Sequence, residues 1–114
     1  MIAVIFELIA QPGQQHAYLD LASGLASKLT EIDGFLSIER FQSLRDPDKL
    51  LSLSFWRDEA AVARWRSLEQ HREAQAQGRA TIFREYRLRV AAVVRDYGLE
   101  RREQAPADSR ARHG

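Results

Sequence analysis

The stretch Leu50-Leu51-Ser52-Leu53-Ser54-Phe55-Trp56 is the most legible strand in the chain. Ser52 and Ser54 share one side of an extended segment while Leu51, Leu53 and Phe55 share the other, the period-two pattern of a pleated strand. Just before it, Arg45-Asp46-Pro47-Asp48 has turn composition, with proline presetting φ and aspartates able to bond the nearby backbone. Upstream of that turn, residues 35–44 alternate Phe35, Leu36, Ile38 and Phe41 with the polar Ser37, Glu39, Arg40, Gln42 and Ser43. The two segments therefore predict an antiparallel hairpin. Downstream, Asp58 is a suitable helix N-cap, and Ala61, Val62, Trp65 and Leu68 fall on one helical stripe. The helix is expected to continue through polar residues and to end at Gly78.

Working outward, residues 2–9 read Ile-Ala-Val-Ile-Phe-Glu-Leu-Ile, β-branched and aromatic in character, and Pro12-Gly13 then breaks the run. Between 14 and 32 the apolar Tyr18, Leu21, Ala22, Leu25, Leu29 and Ile32 recur at helical spacing. Gly34 follows, where a positive φ commonly ends a helix. Residues 86–97 contain Leu88, Val90, Ala91, Ala92, Val93 and Val94, a final strand with apolar residues for both faces. From Leu99 onward large apolar residues give way to Arg, Glu, Gln, Ala, Pro and Asp, so residues 1–98 are expected to form one domain and residues 99–114 a flexible tail.

The order β-α-β-β-α-β predicts an α+β, ferredoxin-like fold: a four-stranded antiparallel sheet with both helices on one face. The second face then has no cover from its own chain. An apolar face of that size exceeds what monomers expose, so a homodimer packed sheet against sheet is expected.

The 114 residues suit one domain, and 45% hydrophobic with 29% charged residues is ordinary globular composition. Lys and Arg number 17 against 16 Asp and Glu. That balance gives no field to hold a polyphosphate, so nucleic acid is not expected as a partner. Cysteine is absent, which removes disulfides, thiolate metal sites and a cysteine nucleophile. The apolar start carries Glu7, lacks a basic leader and is too short to span a bilayer; no membrane partner is expected, and a cytoplasmic location is the default.

Few residues suggest chemistry. His71 lies three residues beyond Leu68, at the edge of the second helix's apolar stripe, and is either a general base or a helix histidine with one structural hydrogen bond. His16 and His113 suggest no site. Trp65, on the helix stripe, reads as a core residue rather than part of a cofactor box. Arg72, seven residues past Trp65, lies near the same helix face and can meet an anionic oxygen or simply solvent. Gly78-Arg79 and Phe83-Arg84-Glu85-Tyr86 combine a hinge-capable glycine with cationic and aromatic groups, which suits a pocket wall and a dimer interface equally. No phosphate-binding loop, nucleophile elbow or dinucleotide fingerprint is present, and no His/Asp/Glu cluster has metal-ligand spacing.

Gly34-Phe35-Leu36-Ser37, Ser52-Leu53-Ser54-Phe55-Trp56 and Ala60-Ala61-Val62-Ala63-Arg64-Trp65 with His71 resemble the antibiotic biosynthesis monooxygenase domain family, over residues 1–98. The resemblance implies a dimeric α+β barrel. Some members oxidise polycyclic phenols with dioxygen and no cofactor, while others degrade haem or have no assigned activity. It implies a cofactor-free monooxygenase acting on a small aromatic or quinol-type molecule, with His71 as base, Trp65 and Tyr86 as walls, and Arg72 or Arg79 facing the substrate anion, and Phe83 joins the substrate-binding residues from the reading of its own segment. The haem-degrading branch uses a first-strand asparagine and a histidine about ten residues past the tryptophan. Here those places read Phe6-Glu7-Leu8 and Gln75. Two alternatives stay open: a non-catalytic, small-molecule-binding or stress-related dimeric barrel, and an oxygenase whose reduced quinol or flavin comes from another protein.

Overall fold

The computed structural model describes residues 1–75 and 82–113, with side chains throughout except at 69–75 and 113. Along the chain run β1 (Ile2–Ala10), α1 (Gln15–Leu29), β2 (Phe35–Gln42), β3 (Lys49–Trp56), α2 (Glu59–Gln75), β4 (Phe83–Ala92) and α3 (Ala107–His113). The four strands form one antiparallel sheet in the order β2-β3-β1-β4. This is the expected ferredoxin-like arrangement: β2 and β3 form the hairpin, and each helical crossover joins two parallel strands, β1 to β2 and β3 to β4, that are separated by one strand between them.

The hairpin turn is held by short-range bonds: the Ser43 hydroxyl accepts from the Arg45 and Asp46 N–H groups, and Asp46 Oδ1 accepts from the Asp48 N–H. α1 stops at Leu29, three residues before the predicted end, and Thr30 turns its hydroxyl back onto the Ser27 carbonyl. Successive turns carry the chain on to Gly34, whose φ of 95° supplies the left-handed step into β2. Asp58 caps α2 as expected, its Oδ1 accepting the Ala61 N–H at 2.9 Å. β4 starts earlier and ends earlier than the apolar run 86–97 suggested, because pairing with β1 stops where β1 does. The expected stop of α2 at Gly78 lies outside the described residues. Beyond β4 the chain bonds Val93 N–H to the Met1 carbonyl, forms turns in which the Arg102 guanidinium lies 5.3 Å from the Tyr97 ring centroid, and finishes in α3.

The core lies between sheet and helices in two clusters. One joins Leu8, Leu50 and Ile82 to Tyr18 and Ala22 of α1; the other joins Trp56 to Leu29, Ala61 and Val62. The helix-facing row of β3 is thus Leu50, Ser52, Ser54 and Trp56, all buried, and the Leu51, Leu53, Phe55 row faces away from the helices. Small serines admit the helix layer, and Ser54 also accepts the Trp56 Nε1–H at 2.9 Å. Among the described residues no helix is long and apolar enough to cross a membrane.

Candidate active site

Register fixes what the sheet offers to the helix layer. Phe6 stands opposite Ser52 on one side and Leu88 on the other, and Ser52 stands opposite Arg40. One rung therefore reads Arg40, Ser52, Phe6, Leu88 from β2 to β4. The next reads Ile38, Ser54, Val4, Val90. At about 4.8 Å per strand, each rung is about 14 Å long. Polarity falls along the first rung, from guanidinium to hydroxyl to ring to aliphatic chain.

Two bulges set this face. β2 carries an extra residue at Leu36, so Phe35 and Ile38, three apart, both turn to the helices. β4 is irregular where Ala10 pairs with Phe83 and Ile9 with Glu85. An unbroken strand would put Phe83 and Tyr86 on opposite faces; the extra residue puts both on the helix side. Their ring centroids are 5.9 Å apart, and both rings also contact Phe6, each at 5.7 Å. Tyr18 joins the group 5.8 Å from Phe83. The layer is not sealed: Val4, Phe6, Ile38 and Trp65 are only half-buried, and Leu88 and Val90 stay 51% and 47% exposed.

Of the candidate residues, Phe83 and Tyr86 are brought together as one aromatic wall. Trp65 sits apart in the second cluster, stacked on Trp56 at 6.4 Å with 27° between planes. His71 and Arg72 lie on the described backbone of α2, while their side chains lie outside the described residues, as does Arg79 altogether. The composition gave no hint of Tyr18 and Arg40 as a pair: Arg40 Nε lies 3.5 Å from the Tyr18 hydroxyl. The usable signal is the register, since Arg40 meets Ser52 and Tyr18 only once the hairpin and α1 are in place.

The perturbed titrations lie elsewhere. Arg57 bonds Asp33 through both terminal nitrogens, at 3.0 and 3.1 Å, and Asp58 through Nε at 3.2 Å. The hydrogen bond from Arg57 holds Asp33 below the usual carboxylate range, and the Ala61 N–H, then Arg57, does the same for Asp58; Arg57 is raised in turn. All three are at the surface and tie the β2 entry to the start of α2. Two recesses are also peripheral. One of about 380 Å³ lies by Met1, Leu36, Phe55 and Val93, and one of about 740 Å³ is formed by residues 96–104 of the C-terminal segment.

Comparison with known proteins agrees with this architecture. The sequence profile of the family described as antibiotic biosynthesis monooxygenase matches residues 1–77. A jasmonate monooxygenase ABM of Pyricularia oryzae is 47% identical over 94 residues, spanning 82% of this chain and 44% of that protein. YqjZ of Bacillus subtilis is 31% identical over 94 residues, spanning 82% of this chain and 79% of its own length. In structure, Rv0793 of Mycobacterium tuberculosis has a TM-score of 0.71 at 20% identity, covering 85% of this chain and 98% of that one. PA3566 of Pseudomonas aeruginosa has a TM-score of 0.69 at 19% identity, covering 82% and 93%. The two structures share the fold; the sequence matches carry the lineage, and the chain belongs to the antibiotic biosynthesis monooxygenase family.

Proposed function

We propose that the protein is a monooxygenase that oxidises a small aromatic or quinol-type substrate with dioxygen, needing no bound cofactor. The observation that carries this reading is the 47% identity to a monooxygenase of the same family over most of this chain. The chain spans less than half of that relative, so the reaction and substrate are assigned to this protein as a proposal.

The reaction balances without an external reductant. A base takes a proton from an activated ring CH₂ or phenol, and the anion passes an electron to dioxygen. For a CH₂ group, one oxygen atom ends in the new carbonyl; the other leaves as water with the two hydrogens. The protein must hold the ring, accept the proton and stabilise the anion. The half-open layer between helices and sheet supplies aromatic surface for the first task, through Phe6, Phe83 and Tyr86. His71 on α2 is assigned the second, because an imidazole titrates near neutral pH.

Oxygen-electrode screening of the purified protein against hydroquinones, anthrones and flavonoids tests the reaction, with heat-denatured protein as control. Once a substrate is found, His71→Ala is expected to lower turnover about 100-fold or more with an unchanged melting temperature. Wild-type turnover in that variant would remove His71 from the mechanism. No oxygen uptake on any class would favour the non-catalytic binding reading.

A further inference from the structure

Among the described residues Arg40 is the cation that the sheet presents on its helix side. It is half-buried on the edge strand β2, at the end of the rung Arg40, Ser52, Phe6, Leu88. Among the described residues no carboxylate pairs with it, whereas Glu7, Asp33 and Asp58 all have cationic partners. Its hydrogen-bond partner there is the buried Tyr18 hydroxyl, 3.5 Å from Nε, at the long limit for such a bond. A guanidinium has five N–H donors in a planar fork, and one neutral, distant acceptor leaves most of that capacity unused. A half-buried guanidinium keeps only part of its hydration, so an anion that fills the remaining donors is favoured here.

We propose that Arg40, with the Tyr18 hydroxyl and Ser52 beside it, is the carboxylate anchor of the substrate site, and that the protein's aromatic substrates are small hydrophobic acids, a carboxylate at one end and the oxidisable ring at the other. The inference rests on the reading that the helix–sheet layer receives the substrate. A carboxylate matches the fork of Arg40 with two parallel hydrogen bonds, which a single phenolate oxygen does not. Tyr18 Oη and Ser52 Oγ are the hydroxyls placed to complete its shell. The rest of the rung sorts the ligand end to end: Phe6 gives aromatic surface in the middle, and exposed Leu88 and Val90 give aliphatic surface at the far edge. An acid laid across the sheet has its charge at β2 and its apolar body over β1 and β4, beside Phe83 and Tyr86. The length of the rung, about 14 Å, fits an acid of roughly ten to twelve heavy atoms in its longest dimension.

Isothermal titration calorimetry at low salt tests the anchor without requiring turnover. The probes are two matched pairs, 2-naphthoate with 2-naphthalenemethanol and decanoate with 1-decanol. Wild type is expected to bind each acid about tenfold or more tightly than its alcohol, with the preference reduced by added salt. Arg40→Gln should abolish the preference and leave alcohol binding as in wild type; Arg40→Lys should retain part of it, and Tyr18→Phe should weaken acid binding a few-fold. Equal affinity of wild type for acid and alcohol in both pairs overturns the proposal, as does an undiminished preference in Arg40→Gln. The wild-type comparison decides the matter even where a variant folds poorly. Acid preference without oxygen uptake would preserve the anchor and reject the oxygenase, and oxygen uptake without acid preference would do the reverse.

Discussion

Trp56 is 1% exposed, and its indole N–H would be an orphaned donor in the core if Ser54 did not accept it. A serine in the middle of a buried row is thus explained by a partner two residues along the same strand face. Ser54→Ala should cost about 1–3 kcal/mol, the desolvation of a donor left unpaired, although the substitution makes the strand more apolar. Urea unfolding checks this, and a variant as stable as wild type would mean that the indole finds another acceptor. Gly34 is constrained in two independent ways. Its φ of 95° is disfavoured for any L side chain, and a Cβ there would stand 2.7 Å from Ala61 Cβ. Gly34→Ala should therefore cost about 2–4 kcal/mol, adding left-handed strain to a clash with α2. The same denaturant experiment reads it, and a loss well below 1 kcal/mol would show that α2 shifts away freely.

The elements were legible from local pattern, and their faces were not. Strand β3, the hairpin turn and the Asp58 cap announce themselves in residue types, because alternation, turn chemistry and capping are decided within a few residues. Which row of β3 meets the helices is decided by tertiary packing, and the small serine row takes that place while the leucines turn outward. Bulges hide likewise: the extra residues at Leu36 and Arg84 reverse the parity of β2 and β4, so the Phe83–Tyr86 wall emerges from a pairing irregularity that period-two reading misses. Arg40 and Tyr18 are 22 residues apart and meet only after hairpin and helix have docked. At the joint between β2 and α2, Asp33 and Asp58 have folded pKa values below those of the free side chains. Around pH 4 the unfolded chain then binds more protons than the native one. The stabilisation by Arg57 is fully present above that pH and is lost as the pH falls through the lower native values. Acid titration of the melting temperature should show this loss, and Asp33→Asn should make the profile shallower below pH 4. Superimposable acid limbs would show that the ion pairs do not couple to folding.

At the scale of the whole molecule, the face turned away from the helices shapes the expected assembly. It presents Ile5 beside Leu53, Phe41 beside Leu51, and Phe55 at the end of the row, a continuous apolar strip across β2, β3 and β1. Phe41 is 43% exposed and the others are half-buried. On this face Glu7 reaches Lys49 at 3.6 Å and Arg89 at 3.3 Å, while Glu39 beside Leu53 and Arg87 beside Glu7 have no ion-pair partner among the described residues. A second sheet laid on this surface would bury the strip, and Glu39 and Arg87 must then find partners across the interface or stay in water at its rim. At about 25 cal/mol per Å², a few hundred Å² of apolar area removed from water on each partner amounts to many kcal/mol, comparable to a small domain's stability. A two-fold dimer achieves that with one self-complementary surface and closes without leaving a free copy of the strip. Light scattering coupled to size exclusion is expected to give a mass near twice 13.1 kDa down to low micromolar concentration. Leu53→Glu puts an unmatched carboxylate at the middle of the strip and should shift the population toward monomer or lower the melting temperature sharply. A wild-type protein that runs as a folded monomer at those concentrations would sink the sheet-to-sheet arrangement, and an unaltered dimer in Leu53→Glu would move the interface to another surface.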